Sequence, residues 1–315
     1  MSADAPAPSA TRPAGGERSY YGQPILKRPV WTWEVPAYFF LGGTAGSSAG
    51  LAYLAGLRGN EVLARRAWAA SVAGLAVSPA LLISDLGRSE RFLNMLRMFK
   101  ITSPMSVGSW ILAASGTTTA IAAAHAWTGL LAGPARVARP AAALLGLPLT
   151  TYTGALIANT AVPVWHEGRW WLPLVFSAGG AMSAGGVAVA LTPVASAKPA
   201  RRVALASAWA EVAVKELMQR RLGEQGEPYE RGRAALFSNI SRACVAAGAT
   251  LLYVRGGRSR GAAAASGALL CAGALSARLC VFAAGRESAA DPKYVVGPQR
   301  ARAARARARE QARTA

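Results

Sequence analysis

Tyr152–Trp171 reads YTGALIANTAVPVWHEGRWW and completes an apolar run of roughly membrane-spanning length. It carries a tyrosine, two threonines, an asparagine, a proline, a histidine and a glutamate. Polar groups are costly in hydrocarbon unless they face a bundle interior, a cavity or a partner. The stretch therefore predicts a helix with something polar beside it, and the rest of the chain has to supply that surrounding.

The composition supplies the membrane. Hydrophobic residues make up 52% of the chain and charged residues 16%, with a formal net charge of +20. Several long runs are almost free of charge, and a bilayer core takes about 20 apolar residues per helix. The pattern predicts an all-α integral membrane protein with eight transmembrane helices. They are read near Val35–Leu57, Arg66–Ile83, Ser106–Leu131, Ala138–Pro163, Leu172–Pro193, Val203–Met218, Ala235–Val254 and Gly261–Ala284. The sixth, within ASAWAEVAVKELMQRR, holds Glu211, Lys215 and Glu216, and either spans or lies on the surface.

Three regions follow. Residues 1–30 are an N-terminal segment whose Pro/Ala/Ser-rich start lacks the apolar core of a signal peptide and reads as disordered. Residues 31–285 form the membrane domain, and residues 286–315 a basic tail. Attraction to anionic lipid accounts for that tail first, RNA or a specific partner second. Membrane lipid, and no nucleic acid, is the partner carried forward.

Eight spans put both termini on one side. The termini and even-numbered loops carry about twice the Lys and Arg of the odd-numbered loops, which places both termini in the cytoplasm of a cell inner or plasma membrane. DLGRSERFLNMLRMFK and QRRLGEQGEPYERGR lie on that side, as does the entry SYYGQPILKRPVWTWEVP.

Cofactors are limited by counting. The two histidines, His125 and His166, fall near opposite ends of their helices and cannot share a membrane b-haem. Cys244, Cys271 and Cys280 form no CxxC, so no iron–sulfur cluster and no metal site is expected in this chain.

Tyr152, Asn159 and His166 are spaced by seven and form a slowly drifting stripe on one helix face, flanked by Thr160 and Trp165. Such a line of donors and acceptors suits a polar ring held in an apolar pocket, of which a quinone is one example. Hydrogen bonding between helices is the alternative. Glu34, beside Trp31 and Trp33, and Asp85, beside Arg88 and Arg91, are either part of a site or an interfacial belt and a cap. Glu211 and Lys215 stand one turn apart and can pair, while Arg242 and Arg278 either snorkel or neutralise carboxylates in a proton path.

YYGQPILKRPVWTWEVPAYFFLGGTAG, DLGRSERFLNMLRMFKITSPMSVGSW, YTGALIANTAVPVWHEGRWWLP and ESAADPKYVVGPQR together resemble the NrfD/PsrC family, the membrane subunits of polysulfide-reductase-like molybdoenzyme complexes. The similarity spans about Ser19 to Arg300. It implies two four-helix bundles without haem, and a quinone (menaquinone or ubiquinone) held near the face that meets the redox partner. Its implied partners are a four-cluster ferredoxin-like iron–sulfur subunit and a molybdopterin catalytic subunit, polysulfide-reductase-like or formate-dehydrogenase-like.

By motif, the resemblance implies Tyr152 as the quinone's hydrogen-bond partner, with Trp33, Glu34 and Tyr38 on the opposing wall and Asp85 and Arg88 near the site. Glu34, Asp85 and His166 are then candidates to relay protons, and Asn159 to line the pocket. Two positions depart from the pattern: Glu34 stands where some members have asparagine or histidine, and Ser89 where proline is expected. A structural anchor without quinone chemistry and a redox-coupled proton translocator are the competing functions.

Overall fold

Helix starts and stops are written locally. Asn60 opens one long helix, its side-chain oxygen accepting from the Leu63 backbone N–H at 3.2 Å. Ser103 does the same for Ser106 at 3.4 Å, with Pro104 in the first turn where no N–H is needed. Gly129, at φ 74°, closes that helix in the left-handed conformation.

The computed structural model describes residues 25–27, 29–88, 90–297 and 311. Ser89, most of the N-terminal segment and most of the basic tail lie outside the described residues. In chain order the helices are α1 (Glu34–Leu57), α2 (Glu61–Asp85), α3 (Arg91–Arg97), α4 (Pro104–Thr128), α5 (Ala132–Ala158), α6 (Pro163–Glu167), α7 (Leu172–Leu191), α8 (Lys198–Leu222), α9 (Gly232–Val254) and α10 (Arg260–Ala290). A 3₁₀ segment, Gly223–Glu230, joins α8 to α9. Among the described residues there is no strand.

Among the described residues six helices are long and apolar enough to cross a membrane: α2, α4, α5, α7, α9 and α10. The protein is therefore an all-helical, multi-pass membrane protein. Two helices read as spans from sequence, α1 and α8, are not among the six. The first is 24 residues long but rich in Gly, Ser and Thr; the second carries charge from end to end.

In α1, α2, α4 and α5, each helix packs on two or more of the others; α7, α8, α9 and α10 are chained the same way. The halves join where α1 and α5 meet α7. Close approach depends on missing side chains. A Cβ on Gly46 would lie 2.6 Å from the Gly146 carbonyl oxygen, and one on Gly180 would lie 2.9 Å from that of Gly43. Such small-residue contacts substitute for hydrophobic driving force between helices in lipid. Thr44 and Ser183 share a hydrogen bond of 2.7 Å across the same seam.

The stretch that opened the sequence reading is where the structure departs from it most. The fourth long helix ends at Ala158 rather than Pro163. Proline lacks the N–H to continue the ladder, and its ring would clash with the carbonyl four residues back. The chain turns through Thr160 and Ala161, goes extended at Val162 as a residue before proline prefers, and restarts as α6 with Pro163 in its first turn. Tyr152, Asn159 and His166 therefore do not form one helical stripe. α6, the 3₁₀ segment and the last turns of α10 pack together, so the start of α1, the end of α2 and the α5–α6 turn share one end of the molecule.

Candidate functional site

At that end the chain enters through Trp31, Thr32 and Trp33. Thr32 gathers two of the expected carboxylates. Its hydroxyl donates to Glu34 and, at 3.4 Å, to Asp85 Oδ1, which also accepts from the Thr32 backbone N–H at 3.4 Å. Glu34 and Asp85 lie 51 positions apart in sequence and meet through one threonine between two tryptophans. Sequence reading named the carboxylates and missed Thr32. The only available signal was its place in WTWE.

Tyr38 lies one turn below Glu34 on the same face of α1 and is fully buried. Its phenol faces that of Tyr152 on α5. The Tyr38 hydroxyl nevertheless completes no hydrogen bond of proper geometry among the described residues. Below the pair is Gly108 of α4. A Cβ there would sit inside the Tyr152 ring and hydroxyl, so only glycine admits this phenol. Tyr38 and Tyr152 are thus brought together by three helices, α1, α4 and α5.

The other expected residues separate from them. Trp33 is 65% exposed, and Arg88, Asn159 and His166 are exposed as well. Asn159 caps the end of α5, and the His166 carbonyl accepts from Arg169 at 3.0 Å. The aromatic that is buried here is Trp165. Its indole N–H donates to the Val281 carbonyl at 2.8 Å, and its ring stacks on Trp31 at 6.0 Å and Phe282 at 6.1 Å. Trp31 and Trp165 also line an almost wholly apolar cleft of about 490 Å³ with Leu26, Val30, Thr160 and Val162.

The second half of the molecule buries charge. Glu211 and Arg278 are each 1% exposed, and Lys215 is also buried. Arg278 donates to the Phe176 carbonyl at 2.7 Å and lies over the Phe176 ring at 4.4 Å. It does not snorkel: a guanidinium that far inside finds a carbonyl and a ring nearer than water. Arg242 donates to Gln219 at 3.2 Å. Glu211 and Lys215 share a face as expected but form no ion pair.

Among the described residues no three His, Cys, Asp or Glu side chains converge as a metal site would require. The donors a small organic ring could use are instead the Tyr38 and Tyr152 phenols. Their surroundings are aromatic and aliphatic, with Phe39 and Phe176 at a ring distance of 5.7 Å and Tyr38 at 6.0 Å from Phe39.

A buried phenol and a half-buried one, held by helices near a pair of carboxylates, thus lie at one end of an all-helical membrane protein. Residues 18–291 match the family model described as polysulfide reductase, and the chain belongs to that NrfD-type family of membrane subunits. No curated protein matches the chain.

Proposed function

We propose that this chain is the quinone-reactive membrane anchor of a molybdopterin oxidoreductase, exchanging electrons between the quinone pool and an iron–sulfur partner. Its eight long helices act as two four-helix bundles, α1, α2, α4 and α5 in one and α7 to α10 in the other, all spanning the cell membrane. Both termini face the cytoplasm, following the Lys and Arg bias of the loops. The observation that carries the reading is the buried Tyr38 hydroxyl, which faces Tyr152 and completes no hydrogen bond of proper geometry among the described residues. A buried unsatisfied hydroxyl costs about 1–3 kcal/mol, and a ligand carbonyl would recover it.

A quinone bound there supplies two-electron chemistry that takes up two protons. The chain's own residues do the rest. Tyr38 and Tyr152 aim donors at the ring oxygen before charge develops on it, which lowers the barrier without reorganisation. Glu34 and Asp85, tied through Thr32, hold protons one turn nearer the water. Trp31 and Trp165 close the way in from the side of the α5–α6 turn. Trp33 and Trp170 stand exposed at this end, as do Leu93, Met98, Phe99 and Ile101 around α3. That apolar surface suits a docked partner, a four-cluster ferredoxin-like subunit linking to the molybdopterin subunit.

Tyr152→Phe tests the reading, because it deletes one hydroxyl and little volume. The purified variant should bind a quinone analogue about 3- to 10-fold more weakly, the equivalent of one lost hydrogen bond, while the complex still assembles. Unchanged affinity would show that the pocket is misplaced. A wild-type chain that binds no analogue would make this a structural anchor.

A further inference from the structure

α8 is the long helix least suited to lipid, yet its charges are not scattered. Its buried stripe runs Ala200, Ala204, Ala208, Glu211, Lys215 and Met218. The first half of that stripe is alanine and packs tightly: a Cβ on Gly185 of α7 would lie 2.7 Å from the Ala204 nitrogen. The second half is ionisable. Lys215 on α8 and Arg278 on α10 are the charges that face Glu211. Arg242 of α9 lines the same cleft, and Cys280 of α10 and Ser238 of α9 lie beside it. From α7 come only the Phe176 ring and Gly179, which carry no charge.

These groups are not hydrogen-bonded to capacity. Glu211 Oε1, Lys215 Nζ, Gln219 Nε2, and Nε and Nη1 of Arg278 are buried without a partner among the described residues. Glu211, Lys215 and Gln219 wall a cavity of about 40 Å³ between α8 and α9, together with Glu216, Ser241 and Arg242; Arg278 lies behind Glu211. That is room for a water molecule, and the lining offers several partners for it. Gln219 is a shared wall. Its far side belongs to an open cavity of about 430 Å³ with Glu224, Glu227, Glu230 and Lys293, at the end of the molecule that holds the phenol site.

We infer that the α8–α9 cleft is a water-filled inlet that admits protons from that end past Gln219 as far as Glu211, which binds and releases them. A hydronium ion in the cleft gives its proton to the Glu211 carboxylate and leaves water; no electron moves. The alanine half of α8 closes the inlet toward the opposite end. Arg278 is its inner limit, since Phe176 and Phe39 stand between that guanidinium and Tyr38. The inlet uses the second half of the molecule alone, so its test involves no quinone and can fail or succeed apart from the proposed electron transfer.

The test is infrared spectroscopy of the full chain in lipid nanodiscs, titrated from about pH 5 to about pH 9, in H₂O and in D₂O. A protonated-carboxyl band should grow as pH falls, shift within minutes in D₂O, and be missing in Glu211→Gln. A band that ignores pH, or one shared equally by wild type and variant, would overturn the inference. Labelling gives a second readout that leaves Glu211 intact. In a background carrying Cys244→Ala, Cys271→Ala and Cys280→Ala, Gln219→Cys should react with a membrane-impermeant thiol reagent an order of magnitude faster than Ala208→Cys. Equal rates would show that water does not enter.

Discussion

The two halves of the molecule differ in whether they bury charge. In α1, α2, α4 and α5 the buried polar groups are neutral: Tyr38, Ser48, Ser71, Ser115 and Thr153, with carboxylates kept to the end and Arg139 only partly buried near the other. In α7 to α10 serines such as Ser183, Ser238 and Ser266 are buried too, but charge is buried beside them: Glu211, Lys215 and Arg278. A hydroxyl inside a helix can fall back on its own carbonyls, as Thr44 and Ser78 do. A charge has no such retreat, and its burial costs several kcal/mol unless opposite charge, carbonyls or water compensate it. The neutral half can therefore close down on its contents, with Tyr152 packed onto Gly108, while the charged half keeps a polar cavity open.

Removing one charge should break this contrast most visibly. Arg278→Leu leaves Glu211 buried with Lys215 as its remaining facing cation and removes a hydrogen bond to Phe176. The expected loss is about 3–5 kcal/mol, the usual result of deleting one member of a buried charged set. Thermal unfolding of the purified chain would show it, and Glu211→Gln on top of Arg278→Leu should recover part. An unchanged melting temperature would mean that the second half carries its charges as lightly as the first carries its hydroxyls.

Overfilling the neutral half should come next. Gly108→Leu drives a side chain into the Tyr152 ring and should cost about 1–3 kcal/mol, with loss of quinone-analogue binding. Gly116, two turns along the same helix, has open space where its Cβ would be, so Gly116→Leu is the control and should leave both unchanged.

How much of this was legible follows from what each feature depends on. Long apolar runs placed six of the long helices as candidate spans, because length and hydropathy are local properties, while α1 and α8 are helical without being as apolar. Boundaries moved where caps decide them: α2 begins at Glu61 rather than Arg66 because Asn60 caps it. The Tyr152–Asn159–His166 stripe failed because a periodicity argument ignores a proline at its far end. Glu34 and Asp85 stand out in the sequence one by one, but their meeting through Thr32 is a tertiary fact that spacing cannot carry. For Arg278 the sequence leaves snorkelling and carboxylate neutralisation both open because it gives depth without neighbours; Phe176 is 102 positions away. Gly108 was invisible for the same reason, since its importance belongs to Tyr152.

A smaller effect sharpens the comparison from the neutral side. Tyr38→Phe removes a hydroxyl that completes no well-formed hydrogen bond among the described residues, so stability of the chain alone should hold or rise by up to about 1 kcal/mol. Quinone-analogue binding should weaken in the same variant. A clear loss of stability in the absence of any ligand would show that the hydroxyl is part of the bundle's own hydrogen bonding, and the first half would then resemble the second.

The smallest effect is expected at the mouth of the charged half. Glu227 accepts from Lys293 at 2.6 Å and from Tyr294 at 2.9 Å, and pairs with Arg231, fastening the 3₁₀ segment to the chain after α10. The hydrogen bonds from Lys293 and Tyr294 hold its carboxyl below the ordinary carboxylate value of 4.5. Tyr294 is pushed up to about 12, by burial first and by its bond to Glu227 second. The sign for Glu227 follows from which form is favoured: the folded protein prefers the carboxylate. The stabilisation is complete above pH 4.5 and is lost as pH falls through the lowered value. Because the group is half-exposed, water and salt screen much of it. Glu227→Gln should therefore barely shift the melting temperature at neutral pH, yet speed tryptic cleavage after Arg231 and Lys293. At low pH, tested with an acid-active protease, wild type and variant should converge. Equal cleavage rates at neutral pH would show that the fastening is incidental, and that the charged half holds its mouth by helix packing alone.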